Sequence, residues 1–150
     1  MCDKTPDPTP DPTPDPAPPE GFEPARFSPG FLDHGGPYFL QRAAAGPRAV
    51  GLRIMAHHLN YKDGAHGGVI STLADVALSH AVHDAERPRL APSTIALQVS
   101  YLAAARLGDW LETRVTIDRL GGRTAYASGR VLRAGETVAT MTGVFAIRRG

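Results

Sequence analysis

The sequence predicts an α+β fold in which one antiparallel sheet of five to six strands wraps around a single long central helix. The first observation is the run from residue 67 to residue 83, in which Asp75 is the only Asp, Glu, Lys or Arg. A surface helix normally shows a charged face, so this run predicts a helix that is buried nearly all round. The second observation is a series of alternating apolar runs separated by turns that contain glycine, which is typical of strands.

The first twenty residues have a different composition from the rest of the chain. Thr-Pro-Asp-Pro occurs three times between Thr5 and Pro16, and residues 1–20 hold eight of the fourteen prolines. Proline removes backbone donors, and the tract has no apolar periodicity. We therefore expect a disordered, Pro-rich tail at residues 1–24. The remaining residues, 25–150, are enough for one folded domain.

The elements of the domain follow in order from periodicity and turn residues. Residues 27–34 are predicted to form a short helix that ends at Gly35-Gly36-Pro37. Turns at Gly46-Pro47, Gly121-Gly122 and Gly135 separate the alternating runs. The predicted strands are residues 38–43, 48–55, 94–101, 110–120, 124–134 and 137–148.

Within the long helix, small polar residues surround the one acid. Ser71, Thr72, Asp75 and Ser79 share one arc of the helical wheel, and the apolar residues fill the opposite arc. Burying an ionised carboxylate is costly unless partners offset the cost, so Asp75 is a functional candidate. The alternative is a structural acid that is hydrogen-bonded to Ser71 or Ser79.

Composition and charge bear on which partners are expected. The net charge is +1, and because residues 1–20 carry −4, residues 21–150 carry +5, which suits an anionic ligand. No concentrated Lys/Arg stripe is present, so we expect no nucleic-acid partner. No run approaches the roughly 18 apolar residues of a membrane span, so we expect no membrane association. The sole cysteine, Cys2, agrees with a reducing compartment, so we expect a cytoplasmic protein.

The spacing of four polar or glycine positions is the most specific motif. Five residues separate Asn60 from His66-Gly67-Gly68, seven separate Gly67 from Asp75, and seventeen separate Asp75 from Ser93. A strand that ends in Tyr101-Leu102 follows. Over roughly residues 25–149 the chain resembles the hotdog-fold acyl-CoA thioesterases, in the branch related to the phenylacetate-pathway (PaaI-like) thioesterases. The resemblance implies the hotdog fold and the hydrolysis of an acyl-CoA thioester with a small, medium or aryl-acetyl acyl group.

The resemblance also implies roles for the motif residues. The Gly67 N–H, at the helix N-terminus, would polarise the thioester carbonyl, and Asp75 would act as general base or as nucleophile. Ser93 would orient the water or the carboxylate. Asn60 and His66 would shape the loop at the carbonyl oxygen or contact the thiol leaving group. Coenzyme A is then part of the substrate, and neither a metal nor a bound cofactor is required.

Assembly follows from the same resemblance. A sheet around one helix leaves an exposed edge and an incompletely covered helix face, which a second copy can cover in a two-fold homodimer. Asn60 and Gly67 of one subunit would then meet Asp75 and Ser93 of the other. We expect such dimers to assemble further into a homotetramer, although the sequence does not decide between dimer and tetramer.

Several residues also have purely structural interpretations. Asn60 can cap a turn, His66 can be an ordinary loop residue, and Ser93 can simply begin a strand. Further candidates are Gly68, Arg119 and Arg123 as coenzyme A contacts, although both arginines can equally be solvated turn residues. His80, His83 and Asp84 are weak evidence for a metal site. His57-His58 is expected to be structural.

Two other functions compete with hydrolysis. A hotdog dehydratase or hydratase would need a His and an acid at other spacings. In this sequence His66 precedes Asp75 by nine residues, which does not meet that requirement. A non-catalytic acyl-CoA sensor would normally carry a DNA-binding segment, which the Pro-rich tail does not supply. The presence of both Gly67 and Asp75 favours an enzyme.

Overall fold

Seven antiparallel strands form one sheet, and one long helix packs against it, in the computed structural model, which describes residues 13–150. The helices are α1 (Phe31–Gly35) and α2 (Gly67–Asp84), and a single 3-10 turn spans Ala56–His58. The strands are β1 (Phe22–Ala25), β2 (Tyr38–Gln41), β3 (Val50–Arg53), β4 (Ala91–Tyr101), β5 (Trp110–Leu120), β6 (Thr124–Arg133) and β7 (Glu136–Arg148). The predicted α+β hotdog fold is confirmed.

The order of the strands places β4 at an edge of the sheet. The order is β1-β2-β3-β5-β6-β7-β4, so β4 pairs with β7 on one side and leaves its other side free. Helix α2 packs against one face of the sheet. Its Leu73 and Leu78 are fully buried beside Phe145 of β7. This packing fixes α2 directly next to the inner face of β4.

The sheet has one strand more than the five to six that the sequence predicts. Strand β1 pairs with β2, and its Phe22 is buried edge-to-face against Trp110 at 5.1 Å between ring centroids. The strand was not expected because it has four residues and contains Pro24, which only an edge strand tolerates. Strand β1 therefore begins at Phe22, three residues before the predicted domain start at residue 25.

Among the first residues that the structure describes, Ala17 contacts the domain. The Arg53 guanidinium donates to the Ala17 carbonyl at 2.9 Å. The predicted disorder of residues 1–12 lies outside the described residues. No helix between residues 13 and 150 is both long and apolar enough to cross a membrane.

Helix α2 is less buried in the single chain than the sequence predicts. Its apolar arc is buried against the sheet, whereas Ser71, Thr72, Asp75 and Ser79 are only partly buried. The expectation of burial nearly all round is wrong for one chain, because the sheet covers one side of the helix only. The polar arc is left at the surface beside β4 and α1.

Helix α1 is shorter than the predicted helix at residues 27–34. It begins at Phe31 because Gly30, at the N-cap, has a φ of 96°, which favours glycine and does not continue a helix. The Asp33 carboxylate accepts from the Gly30 N–H at 2.9 Å and closes this turn. Residues 26–32 therefore run as a loop and a single turn along the polar side of α2.

Candidate active site

Asp75 lies halfway along α2, at the bottom of an open cleft. Its Oδ1 accepts a hydrogen bond from the Thr94 hydroxyl at 2.7 Å. Two connected hollows meet at this carboxylate. One, of about 360 Å³, is lined by residues of α1, α2 and β4. The other, of about 580 Å³, runs between residues 26–32 and the second half of α2. The carboxylate can therefore be reached by a ligand and by water.

The partner of Asp75 is Thr94 and not the predicted Ser93. Neighbouring residues of a strand point to opposite faces of the sheet, so only one of the two can face α2. Ser93 makes no side-chain hydrogen bond to any residue between 13 and 150. The sequence signal for Thr94 was present, since it carries the same hydroxyl chemistry one position later.

A β-bulge in β4 explains how the strand presents Thr94. Thr94 pairs with Phe145 and Ala96 pairs with Val144, so Ile95 has no partner in β7. In an unbroken strand, residues 94 and 97 would lie on opposite faces. With the extra residue, Thr94 and Leu97 both line the hollow at Asp75. The bulge therefore turns the hydroxyl toward the carboxylate.

The N-terminus of α2 carries a free backbone donor. His66 is the N-cap residue, and its Nδ1 accepts from the Gly68 N–H at 2.9 Å. The Gly67 N–H, in contrast, finds no acceptor among residues 13–150. This N–H lies at the positive end of the helix dipole and can donate to a carbonyl oxygen or an oxyanion. The Gly68 N–H is already occupied, so of the two glycines the geometry favours Gly67.

Tyr101 holds this helix terminus in place, a role that the sequence motif did not reveal. Its hydroxyl donates to the Gly67 carbonyl at 2.9 Å and also contacts the Ser71 hydroxyl. A Cβ on residue 67 would lie 3.3 Å from the Tyr101 ring, which is a tight contact. The last residue of β4 therefore fixes the direction of the Gly67 peptide group.

Asn60 organises the loop that leads into α2. Its Oδ1 accepts from the Lys62 N–H at 2.8 Å and from the Gly64 N–H at 3.3 Å. Its backbone N–H donates to the Gly64 carbonyl at 2.8 Å. Within one chain Asn60 therefore caps a turn, which is its structural interpretation, and its amide nitrogen points to no acceptor between residues 13 and 150.

The two neighbouring histidines, His57 and His58, tie the same loop to α1. His58 is buried; its Nδ1 accepts from the Met55 N–H at 3.0 Å, so its Nε2 carries the proton and donates to the Gly35 carbonyl at 2.8 Å. Burial, and then the proximity of His57, lower the pKa of His58 below its ordinary value. The His58 carbonyl accepts from the His66 N–H at 2.8 Å. These bonds support the structural role expected for the pair.

A single chain does not bring Gly67 and Asp75 to one point. The two residues lie on the same helix and are eight positions apart, which corresponds to about 12 Å along the helix axis. A thioester carbonyl that accepts from Gly67 must lie about 3 Å from its nitrogen. The Asp75 of the same chain is therefore out of reach of that carbonyl carbon.

Arg119 and Arg123 lie at the turn between β5 and β6, outside the Asp75 cleft. Arg119 lines a separate hollow with the two glycines of the turn. Ser93 pairs with Ala146, which pairs with Thr124 on the other side, so this turn lies at the same end of the sheet as the start of β4. Arg123, which precedes Thr124, is thus about two strand spacings, or roughly 10 Å, from Ser93. Arg119 on β5 is about three strand spacings, or roughly 14 Å, from β4.

His80, His83 and Asp84 do not form a metal site. His83 Nδ1 contacts the Leu90 carbonyl at 2.6 Å, and Asp84 pairs with arginines. No group of three or more His, Cys, Asp or Glu residues within positions 13–150 is arranged to hold a metal ion.

Known proteins share this fold and this site region. A family model described as the thioesterase superfamily matches residues 64–140. The Pseudomonas aeruginosa protein named “Putative esterase PA0474” is 42% identical over 127 residues, which cover 85% of this chain and 95% of that protein.

Two solved structures are also similar to this chain in fold. The phenylacetic acid degradation protein PaaI from Thermus thermophilus, solved as a mutant, is 27% identical with a TM-score of 0.69 and covers 79% of this chain and 98% of its own. The BH2602 protein from Bacillus halodurans, solved with CoA, is 28% identical with a TM-score of 0.63 and covers 67% of this chain and 66% of its own.

Proposed function

Since this chain belongs to the thioesterase superfamily and is a thioester hydrolase, we propose that it cleaves acyl-coenzyme A to the free acid and coenzyme A. The coenzyme A in the Bacillus halodurans structure supports this choice of thiol. We propose a small, medium or aryl-acetyl acyl group, and the similarity to the phenylacetic acid degradation protein PaaI of Thermus thermophilus supports the aryl-acetyl choice. No second function has a comparable observation in its favour.

The observation that carries the proposal is the Asp75 carboxylate with its Thr94 partner in an open cleft. The Thr94 hydroxyl holds one carboxylate oxygen and leaves the other for chemistry. As a general base, Asp75 takes a proton from water while the water oxygen attacks the thioester carbon. As a nucleophile, it attacks the same carbon and gives an anhydride that water then hydrolyses. In both routes the C–S bond breaks and the thiolate leaves with a proton.

The carbonyl oxygen needs a donor that the same chain does not supply. The Gly67 N–H has no acceptor in the described part of the chain, but it lies about 12 Å from Asp75 along α2. A two-fold dimer with antiparallel α2 helices would place the Gly67 of each chain beside the Asp75 of the other. We therefore assign Gly67, with the Asn60 loop and the His66 cap, to one subunit and Asp75 with Thr94 to its partner.

The edge strand β4 supports such a dimer. It has eleven residues, and one side of its backbone pairs with no strand among residues 13–150. Ile95 is 60% exposed and Leu102 is 61% exposed. Long unpaired edges with apolar side chains are places where a second chain adds to a sheet. The polar arc of α2 borders the same edge and would be covered at the same time.

The nucleotide end of coenzyme A has a candidate contact as well. Arg119 and Arg123 lie at the end of the sheet where β4 begins, and neither forms an ion pair with an acid among residues 13–150. Their guanidinium groups suit phosphate oxygens. We assign them to the nucleotide phosphates of the substrate.

The test is the release of free thiol from a panel of acyl-CoA esters, followed with a thiol-reactive dye. We expect turnover with at least one small, medium or aryl-acetyl ester. A protein that binds these esters without releasing thiol would be a sensor. A change in the absorbance of enoyl-CoA without thiol release would indicate a hydratase. Either result would reject the proposal.

A further inference from the structure

The larger hollow at Asp75 has two chemically different ends. At one end lies the Asp75 carboxylate, and at the other lie His80, His83, Arg48 and Arg89. Asp75 and His83 are eight positions apart on α2, which gives the cleft a length of about 12 Å. A thioester bond at Asp75 would therefore direct one arm of the substrate toward this far end.

The walls between the two ends are mostly apolar, although Ser28, Ser79 and Arg26 also line the cleft. Phe27, Leu32 and Val76 line the middle of the cleft, together with Phe31, which is 72% exposed. Such walls suit a chain of methylene groups or an aromatic ring. They would not by themselves select what stands at the end of that chain.

The far end carries more positive charge than its acids balance. Asp84 is the only acid that faces Arg48 and Arg89 within the described residues, at 3.9 Å and 3.1 Å, and it also pairs with Arg87 at 3.0 Å. The neighbouring Glu86 is held by Arg149 at 2.9 Å. One carboxylate thus serves three guanidinium groups. Arg48 and Arg89 line the cleft and share that carboxylate, so one net positive charge remains there for an anion.

His80 adds a polar atom without a partner at the same place. Its Nε2 is buried and makes no hydrogen bond to any residue between 13 and 150. Its ring is fixed by Phe27, whose centroid lies 5.3 Å away in an edge-on arrangement. Burial, and then the charge of Arg48, lower the pKa of His80, so the ring is neutral at pH 7. A buried polar atom without a partner is costly. Because this atom has no surface open to the cleft, the His80 ring would have to turn before a ligand oxygen could bond to it.

We propose that this cleft binds the acyl arm and selects acyl groups that end in a carboxylate, with Arg48 and Arg89 as the residues that determine specificity. The inference rests on the proposed thioester hydrolysis at Asp75. An eight-carbon arm spans about 9 Å between its first and last carbon, at about 1.2 Å per bond. That length brings a terminal carboxylate within reach of Arg48 when the thioester lies at Asp75.

The experiment compares suberoyl-CoA, which ends in a carboxylate, with octanoyl-CoA, which has the same length and an apolar end. The wild type should hydrolyse suberoyl-CoA with the higher kcat/KM. Arg48→Gln should lower kcat/KM for suberoyl-CoA by about tenfold or more, because a hydrogen bond to a charged group is lost. The same variant should change kcat/KM for octanoyl-CoA by less than about threefold.

The matched control is Arg87→Gln, which removes an arginine from the same Asp84 but does not line the cleft. It should leave the preference for suberoyl-CoA unchanged. Arg89→Gln serves as the second variant in case Arg48→Gln does not fold. An equal effect of Arg48→Gln on both esters, or no preference in the wild type, would overturn the proposal.

Two further measurements test whether Arg48 contacts the acyl end or the nucleotide, and whether the cleft discriminates between acyl groups without hydrolysis. The N-acetylcysteamine thioesters of the same acids lack the nucleotide, so the effect of Arg48→Gln should persist with them. An effect confined to the coenzyme A esters, and equal for both acyl groups, would assign Arg48 to the phosphates and overturn the proposal. Binding of the two non-hydrolysable thioether analogues, measured by calorimetry, shows the same discrimination even if no thioester is hydrolysed. Failure of hydrolysis and failure of this inference are thus distinguishable.

Discussion

The hydrogen bond between Thr94 and Asp75 gives the sharpest test of the site geometry. Thr94→Val replaces the hydroxyl by a methyl group of similar size, so the strand and its bulge are kept. The carboxylate then loses the donor that holds it at 2.7 Å. We expect a lower kcat and little change in KM, because the lost contact orients the reacting carboxylate and does not bind the thioester.

The size of the effect follows from the contact. A hydrogen bond to a charged group contributes about 1.5–3 kcal/mol, and the lower end applies here because Thr94 is exposed and Asp75 is only partly buried. Since about 1.4 kcal/mol corresponds to a tenfold change, kcat should fall by roughly tenfold. The melting temperature should change by no more than about 3 °C.

The assay is thiol release under saturating acyl-CoA. Thr94→Ser should retain most of the activity because it keeps the hydroxyl. Ser93→Ala is the matched control on the neighbouring residue, and it should retain kcat within about twofold. A larger loss in Ser93→Ala than in Thr94→Val would refute the geometry and restore the assignment that the sequence spacing suggested.

Three further predictions concern assembly, the tail and pH. Mixing Asp75→Asn with Asn60→Ala chains should restore about a quarter of wild-type activity once subunits exchange, since half of the dimers are hybrids with one intact site of two; demonstrated exchange without recovery would contradict a shared site. Deleting residues 2–12 should leave kcat and Tm unchanged. Deleting residues 2–25 also removes β1 and should lower Tm by roughly 5–10 °C. Equal Tm values for the two deletions would show that β1 does not stabilise the domain. Because the pKa of His58 is lowered in the folded state, its contribution to stability is present above about pH 6.5 and is lost as the pH falls below that value; Tm should fall between pH 7.5 and pH 5, and His58→Gln should reduce that dependence.

Long periodic elements could be predicted from the sequence almost to the residue. Strand β5 spans Trp110–Leu120 as expected, and α2 runs one residue beyond the predicted 67–83. These elements are long, and alternation or an unbroken apolar run is a strong signal over that length. The glycine pair at 121–122 marks the turn that follows β5.

Features that depend on tertiary contacts could not be predicted in the same way. The β-bulge at Ile95 has no sequence signature, and it decides that Thr94 faces Asp75. The exposed polar arc of α2 depends on which side the sheet covers. The contact from Tyr101 to Gly67 joins residues 34 positions apart, so only the fold reveals it. The residue types of the candidate site could therefore be predicted from the sequence, whereas the contacts between these residues required the structure.

The importance of Asp75 is tested most directly by kcat with the best acyl-CoA substrate. We compare wild type, Asp75→Asn and Asp118→Asn, a matched variant whose carboxylate lies on β5 and bonds to Ser128. Removing a general base typically costs 10²–10⁴-fold, so Asp75→Asn should lower kcat by about that factor. Asp118→Asn should remain within about twofold of wild type. Near-normal kcat in folded Asp75→Asn would contradict the proposed mechanism.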